Sequence, residues 1–239
     1  MKSALMGLTL FLLVASAWAG RLTDNFDDGN MDEWAIRSPT LTGEESPNNT
    51  WRIEDGELII EAVDSPFFFL IGEDSWGDYT MGLRAKLVKH QPDACCGQMF
   101  QLKVRSSHEP TGYNFGLGTF ALMPKEVAGV GAFYLQGDLF ISHLELSPFE
   151  WQLDTWYDLE VTANGNQFQF TVNGEPVLNY VDQTFSTGQA GFGASVFGIT
   201  AIIDDFFVEG DEIPDSDLST AVDPKAKLAT VWGRVKRIQ

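Results

Sequence analysis

The chain has 239 residues and a formal net charge of −19. So acidic a protein is excluded as a nucleic-acid binder, because neutralising phosphates needs a basic face. Its length allows one domain whose core is large enough to need no cross-links.

In chain order, Lys2 is followed by the mostly apolar run Ala4–Ala17, and Ala17-Trp18-Ala19 precedes Gly20. This charged, apolar and small-residue layout predicts a signal peptide over 1–19, and therefore a periplasmic or extracellular protein. The rival reading, an N-terminal membrane anchor, has fewer apolar residues than the ~20 that span a bilayer. No later stretch approaches that length, so no transmembrane segment is expected.

From Gly20 to Gly210 there is no amphipathic pattern of helix length. Period-two alternation, β-branched and aromatic residues and turn glycines recur instead, which predicts strands. Trp51-Arg52-Ile53 turns at Asp55-Gly56 into Leu58-Ile59-Ile60, and Tyr79–Val88 and Gln98–Arg105 alternate. Tyr113, Phe115 and Leu117 oppose Asn114, Gly116 and Gly118. Asn164-Gly165 and Asn173-Gly174 between alternating runs predict a three-strand meander with type I′ turns. About a dozen short strands are enough for an all-β, two-sheet antiparallel β-sandwich over 20–210.

Acidic, proline-bearing 211–224 reads as a linker. In the basic tail 225–239, Leu228, Val231, Trp232, Val235 and Ile238 form one helical stripe. It is expected to meet an anionic membrane, a sorting partner or the acidic body, with a disordered tail as the other reading.

The two cysteines, Cys95 and Cys96, are adjacent. Neighbouring Cα atoms lie ~3.8 Å apart, short of the usual disulfide span, so a strained vicinal disulfide and two free thiols both stand. No zinc-type Cys spacing and no His-based metal motif is present.

Several segments carry a family resemblance. Phe26-Asp27-Asp28 with Trp34, and Trp51 with Asp55-Gly56-Glu57-Leu58, resemble the opening of concanavalin A-like jelly-roll domains. Trp156–Val161, Val172-Asn173-Gly174, Gly191-Phe192-Gly193 and Asp204-Asp205-Phe206 resemble their closing half. Within that superfamily, Gly97–Gln101, Thr111–Phe115 and Gly131–Tyr134 are similar to the bacterial 3-keto-disaccharide hydrolase and laminin-G-like group. The resemblance implies a jelly roll active on or binding carbohydrate. That group tends to carry arginine where Gln101 falls and glutamate where Asn114 falls, so hydrolysis is less expected here than the fold.

Glycoside hydrolysis typically needs two carboxyls, which the glucanases of this superfamily place on one strand face within E-x-D-x-E, and no such run occurs here. With Phe100, Tyr113, Phe115 and Phe133 assigned to the core, alternation turns Arg84, Lys86, Gln101, Lys103, Asn114, Tyr134 and Gln136 outward. Aromatic, amide and cationic groups suit a sugar's CH face and hydroxyls, and the basic members favour an acidic glycan. A solvated sheet face is the alternative reading. Asp27 and Asp205 are candidate calcium ligands if the terminal strands pair, against the commoner turn-forming role; no other cofactor is expected. The sequence thus predicts an exported carbohydrate-binding sandwich that recognises a glycan on its concave sheet face. Its alternatives are a glycoside hydrolase of the 3-keto-disaccharide type and a structural or adhesive sandwich.

Overall fold

The computed structural model describes residues 19–40, 43–90, 97–107, 110–122, 125–137, 139–194 and 198–219. Cys95 and Cys96, the tail 225–239 and all but the last residue of 1–19 lie outside the described residues. No helix among the described residues is long and apolar enough to cross a membrane.

The strands are β1 (Gly20–Asp24), β2 (Ala35–Arg37), β3 (Thr50–Glu54), β4 (Glu57–Ala62), β5 (Phe67–Ile71), β6 (Tyr79–Lys89), β7 (Gln98–Ser107) and β8 (Thr111–Leu122). They continue with β9 (Lys125–Gln136), β10 (Ser142–Pro148), β11 (Trp156–Asn164), β12 (Gln167–Val172), β13 (Glu175–Val181), β14 (Gln189–Ala194), β15 (Ile199–Gly210) and β16 (Ser216–Asp217). One sheet has seven strands in the order β10-β9-β8-β7-β14-β5-β2. The other has nine, with the path β13-β12-β11-β6-β15-β1-β16 and β4 joining β15 to β3. The result is the two-sheet sandwich the alternation predicts.

Between the sheets lies an aromatic core. Phe69 stacks on Phe192 at 5.2 Å, Trp34 meets Phe206 at 4.8 Å, and Tyr113 meets Phe168 at 4.5 Å. The meander β11-β12-β13 forms as expected. At Asn173-Gly174 both residues have positive φ, 53° and 77°, as type I′ requires. The first turn centres one residue later than expected, on Gly165-Asn166, with positive φ only at Gly165.

The start of the expected linker belongs to the sandwich. β16 pairs with β1, Ile213 is buried, and Leu218 packs on the core.

A bulge in β7 redirects Arg105. Its φ is 49°, the β7–β8 register shifts between Val104 and Ser107, and the guanidinium turns in among the loops at one end of the sandwich. Alternation would have placed it outward beside Lys103.

Candidate functional site

The outer face of the seven-stranded sheet is floored by glycine. Strand pairing aligns Phe68, Gly193, Gln101, Gly116, Gly131 and Leu146 in one row across it. The next row runs Leu70, Gly191, Lys103, Asn114 and Phe133. Bare positions beside long side chains let the neighbours fold over. A Cβ on Gly193 would come within 2.9 Å of Phe68 Cδ1, and one on Gly131 within 2.6 Å of Phe120. Met99, Phe120, Phe133 and Leu135 form a second apolar cluster on this face, separate from the inter-sheet core.

Gln101, Lys103 and Asn114 therefore point away from the core and are still buried, each at most 1 % exposed. Lys103 Nζ donates to Asn114 Oδ1 at 2.8 Å and sits 3.9 Å from the centre of the Phe68 ring. The Asn114 amide is held in that orientation, because its Nδ2 donates to Gly112 O at 3.1 Å. Burial pushes the Lys103 ammonium down to about 7. Gln101 Oε1 is buried with no hydrogen-bond partner. Such orphaned groups are rare, since each forfeits its hydration without return.

The other expected ligand residues lie elsewhere. Arg84 and Lys86 are on β6, which pairs with β11 and β15 in the nine-stranded sheet. There they flank the Trp156 ring at 4.7 and 4.6 Å, and Arg84 meets Asp205 at 3.3 Å. Alternation assigns a side chain to one face of its own strand, but it carries no information on which sheet the strand joins. In a sandwich the two outward faces are on opposite sides of the molecule.

Tyr134 corrects the expected register of β9. It pairs with Tyr113 and packs inward, its ring 6.2 Å from Tyr113 and 5.8 Å from Phe185. Phe133, assigned to the core above, faces outward opposite Asn114. Gln136 follows Tyr134 by two residues, on the opposite side of the sheet from Lys103, and is exposed. The run Val130–Leu135 is apolar on both faces, so period two could not decide its register.

Beside Tyr134, Asp182 ties the sheet edges together. It accepts from Tyr113 Oη at 2.8 Å and Thr184 N at 2.7 Å, and lies 2.9 Å from His143 Nδ1. Burial acts to raise its carboxyl, but hydrogen bonds from Thr184, His143 and Tyr113 outweigh it and hold the group at about 2.

Each of the candidate calcium ligands, Asp27 and Asp205, has a side-chain partner. The Asp27 carboxylate accepts from Asn25 and rests against Gly56, while Asp205 faces Arg84. Among the described residues no group of three or more His, Cys, Asp or Glu could hold a metal ion.

The glycine floor was missed in the sequence, though its signal is there. Gly116 and Gly118, Gly129 and Gly131, and Gly191 and Gly193 each recur at period two around an apolar residue. That pattern strips one strand face while filling the other. We expect Gly191→Ala to cost about 1–3 kcal/mol, the usual range for overpacking. Its Cβ would meet Phe69 O at 2.1 Å and Leu70 Cδ2 at 2.9 Å. A urea melt matching wild type would show that the floor has room to spare.

A family model described as a 3-keto-alpha-glucoside-1,2-lyase-like domain matches residues 21–197. No curated protein matches by sequence. Among solved structures, a carbohydrate-binding module, CBM66 of Bacillus subtilis, aligns at 20 % identity and TM-score 0.53, over 76 % of this chain and 98 % of its own. A β-1,3-1,4-glucanase (lichenase) from a mouse hindgut metagenome aligns at 14 % identity and TM-score 0.57, over 81 % and 100 %. Domain 4 of AbnA, an arabinanase of Geobacillus stearothermophilus in complex with arabinotriose, aligns at 12 % and 0.52, over 81 % and 93 %. At these identities the likeness is one of fold.

Proposed function

This chain belongs to the 3-keto-alpha-glucoside-1,2-lyase-like domain family, and from that membership we propose that it is an exported carbohydrate-binding domain. Its glycan lies on the outer face of the seven-stranded sheet, around Gln101, Lys103 and Asn114. One observation carries the reading: donor and acceptor capacity is left unmet side by side on a buried, glycine-floored face. Gln101 Oε1 accepts nothing, and of the Lys103 N–H groups one is taken by Asn114. A sugar offers hydroxyls that donate and accept at neighbouring carbons, the complement of those unmet groups. The N-terminal layout of Lys2, apolar run and Ala17-Trp18-Ala19 supports export. The carbohydrate-binding module and the arabinotriose-bound arabinanase domain support a sugar ligand on this fold.

A glycan array probed with the mature domain tests this. Replacing Gln101 with leucine removes the orphaned oxygen, so the variant is expected to fold at least as stably as wild type. It is also expected to bind about tenfold more weakly, the usual scale for losing one buried polar contact. Unchanged affinity would move the site elsewhere, and an array without any hit would leave a structural or adhesive sandwich.

Glycoside cleavage is the second reading, favoured by the family's description as lyase-like. Gln101 and Asn114 cannot carry a proton at neutral pH, which leaves Lys103 as the ionisable member of the three. Steady product release from a 3-keto-α-glucoside, lost in Lys103→Met, would establish an enzyme.

A further inference from the structure

We infer that the Lys103 site takes an acidic sugar, with the carboxylate of a uronic acid against the Lys103 amine and a neighbouring hydroxyl on Gln101 Oε1. This rests on the carbohydrate reading above and narrows it to a chemical class.

The geometry sets two requirements. Lys103 is a cation in an apolar enclosure with no counter-ion among the described residues. Around it β5 offers Phe68 and Leu70, β14 offers Gly191, β8 offers Asn114, and β9 offers Phe133. None of these residues titrates, and Gln101, two residues along β7, is neutral. Desolvation of the amine is accordingly the one cause of its displaced ionisation. Asn114 presents an oxygen and is fixed in that sense by Gly112 O, so it satisfies one N–H without neutralising the charge. A hydroxyl from a neutral sugar would do no more. A carboxylate would fill the remaining donors and cancel the charge, through the stronger class of hydrogen bond.

The second requirement comes from Gln101. Its orphaned Oε1 repels a carboxylate oxygen and attracts a donor. The ligand must therefore present an anion and a hydroxyl within the reach of two side chains that are two residues apart on one strand face, about 7 Å along the strand. A hydroxy acid on a sugar ring has both. A simple anion lacks the donor, and a neutral sugar lacks the charge. The protein's net charge of −19 disfavours anions over the rest of its surface. Recognition of an acidic glycan then depends on this one buried cation.

Binding is linked to a proton. Above pH 7 the free amine is largely neutral, and a bound carboxylate holds it protonated, so complex formation takes up a proton. The test is calorimetry of the mature domain with matched neutral and uronic-acid disaccharides, glucose with glucuronic acid and galactose with galacturonic acid, in both anomers. At pH 6.5 one uronic acid is expected to bind about tenfold or more tighter than its neutral partner, the scale of one charged hydrogen bond. At pH 8, buffers of different ionisation enthalpy should report uptake of nearly one proton. Lys103→Met should abolish both the preference and the uptake.

Equal affinity for the two members of every pair overturns the inference and leaves the carbohydrate reading standing. So does a uronic-acid preference that survives in Lys103→Met, or one without proton uptake. Absence of binding to either class overturns both.

Discussion

The free protein is expected to become more stable as the pH rises from 7 to about 9.5, and Lys103→Met is expected to remove that rise. An unfolded lysine keeps its proton until about pH 10.4, whereas burial lowers the folded Lys103 to about 7. Between those values the unfolded chain binds one proton more than the native one, so stability increases with pH. Below pH 7 both states are charged and the penalty of the buried ammonium is present in full. Each unit of downward displacement corresponds to about 1.4 kcal/mol, so the rise should reach several kcal/mol.

The window closes near pH 10, where tyrosine begins to titrate in the unfolded chain. Burial raises Tyr79, Tyr113 and Tyr180 in the folded state, so their contribution is lost as the pH climbs further. The methionine variant keeps the length and apolar stem of the side chain. It leaves Asn114 Oδ1 unpaired at a cost of about 1 kcal/mol, and should still exceed wild type at pH 6.5, because an uncompensated buried charge has gone. Urea unfolding from pH 6.5 to 9.5 measures both effects. A flat wild-type profile would mean that Lys103 is hydrated in solution, and the electrostatic basis of the site would fail with it.

Arg105→Ala is expected to cost about 3–5 kcal/mol, the range for breaking a buried charged network. The side chain is 2 % exposed. Its Nε donates to Gly77 O at 3.0 Å, Nη1 to Gly165 O at 2.7 Å and Phe185 O at 3.1 Å, and Nη2 to Asp78 Oδ1 at 2.9 Å. Those partners lie on three connections: the approach to β6, the β11–β12 turn and the β13–β14 loop. Truncation leaves three carbonyls without their donor and opens a void beside the Phe168 ring, 5.1 Å away. Asp78 contributes less, since its side chain is 60 % exposed and screened by water. Lysine at this position should fail as well, because one ammonium cannot reach divergent acceptors that a planar guanidinium spans. A loss under 1 kcal/mol in a urea melt would show that the three loops hold their places independently.

Arg105 and Tyr134 show where reading by alternation stops. Up to Val104 the period-two pattern of β7 is obeyed, with Phe100, Leu102 and Val104 inward and Gln101 and Lys103 outward. One bulge then reverses the next side chain, and no residue type in the sequence marks its position. On β9 the pattern has no contrast, since Phe133, Tyr134 and Leu135 are all large and apolar, and pairing with β8 decides the face. Gln101, Lys103 and Asn114 were legible as a group because each lies opposite a clear apolar partner in a strand of unambiguous register.

The sequence by itself determined the all-β class, the Asn173-Gly174 turn of the meander and the outward direction of those three side chains. These depend on properties a few residues carry: side-chain size, backbone freedom at Asn-Gly and Asp-Gly, and alternation along one strand. Only the tertiary structure decided that Arg84 and Lys86 belong to the opposite sheet, that Arg105 joins three loops, and that Lys103 is buried without a counter-ion among the described residues. Each of those is set by which strands pair and by what closes over a row of glycines. Such contacts join residues far apart in the chain, and their energies are summed over neighbours that no local window contains.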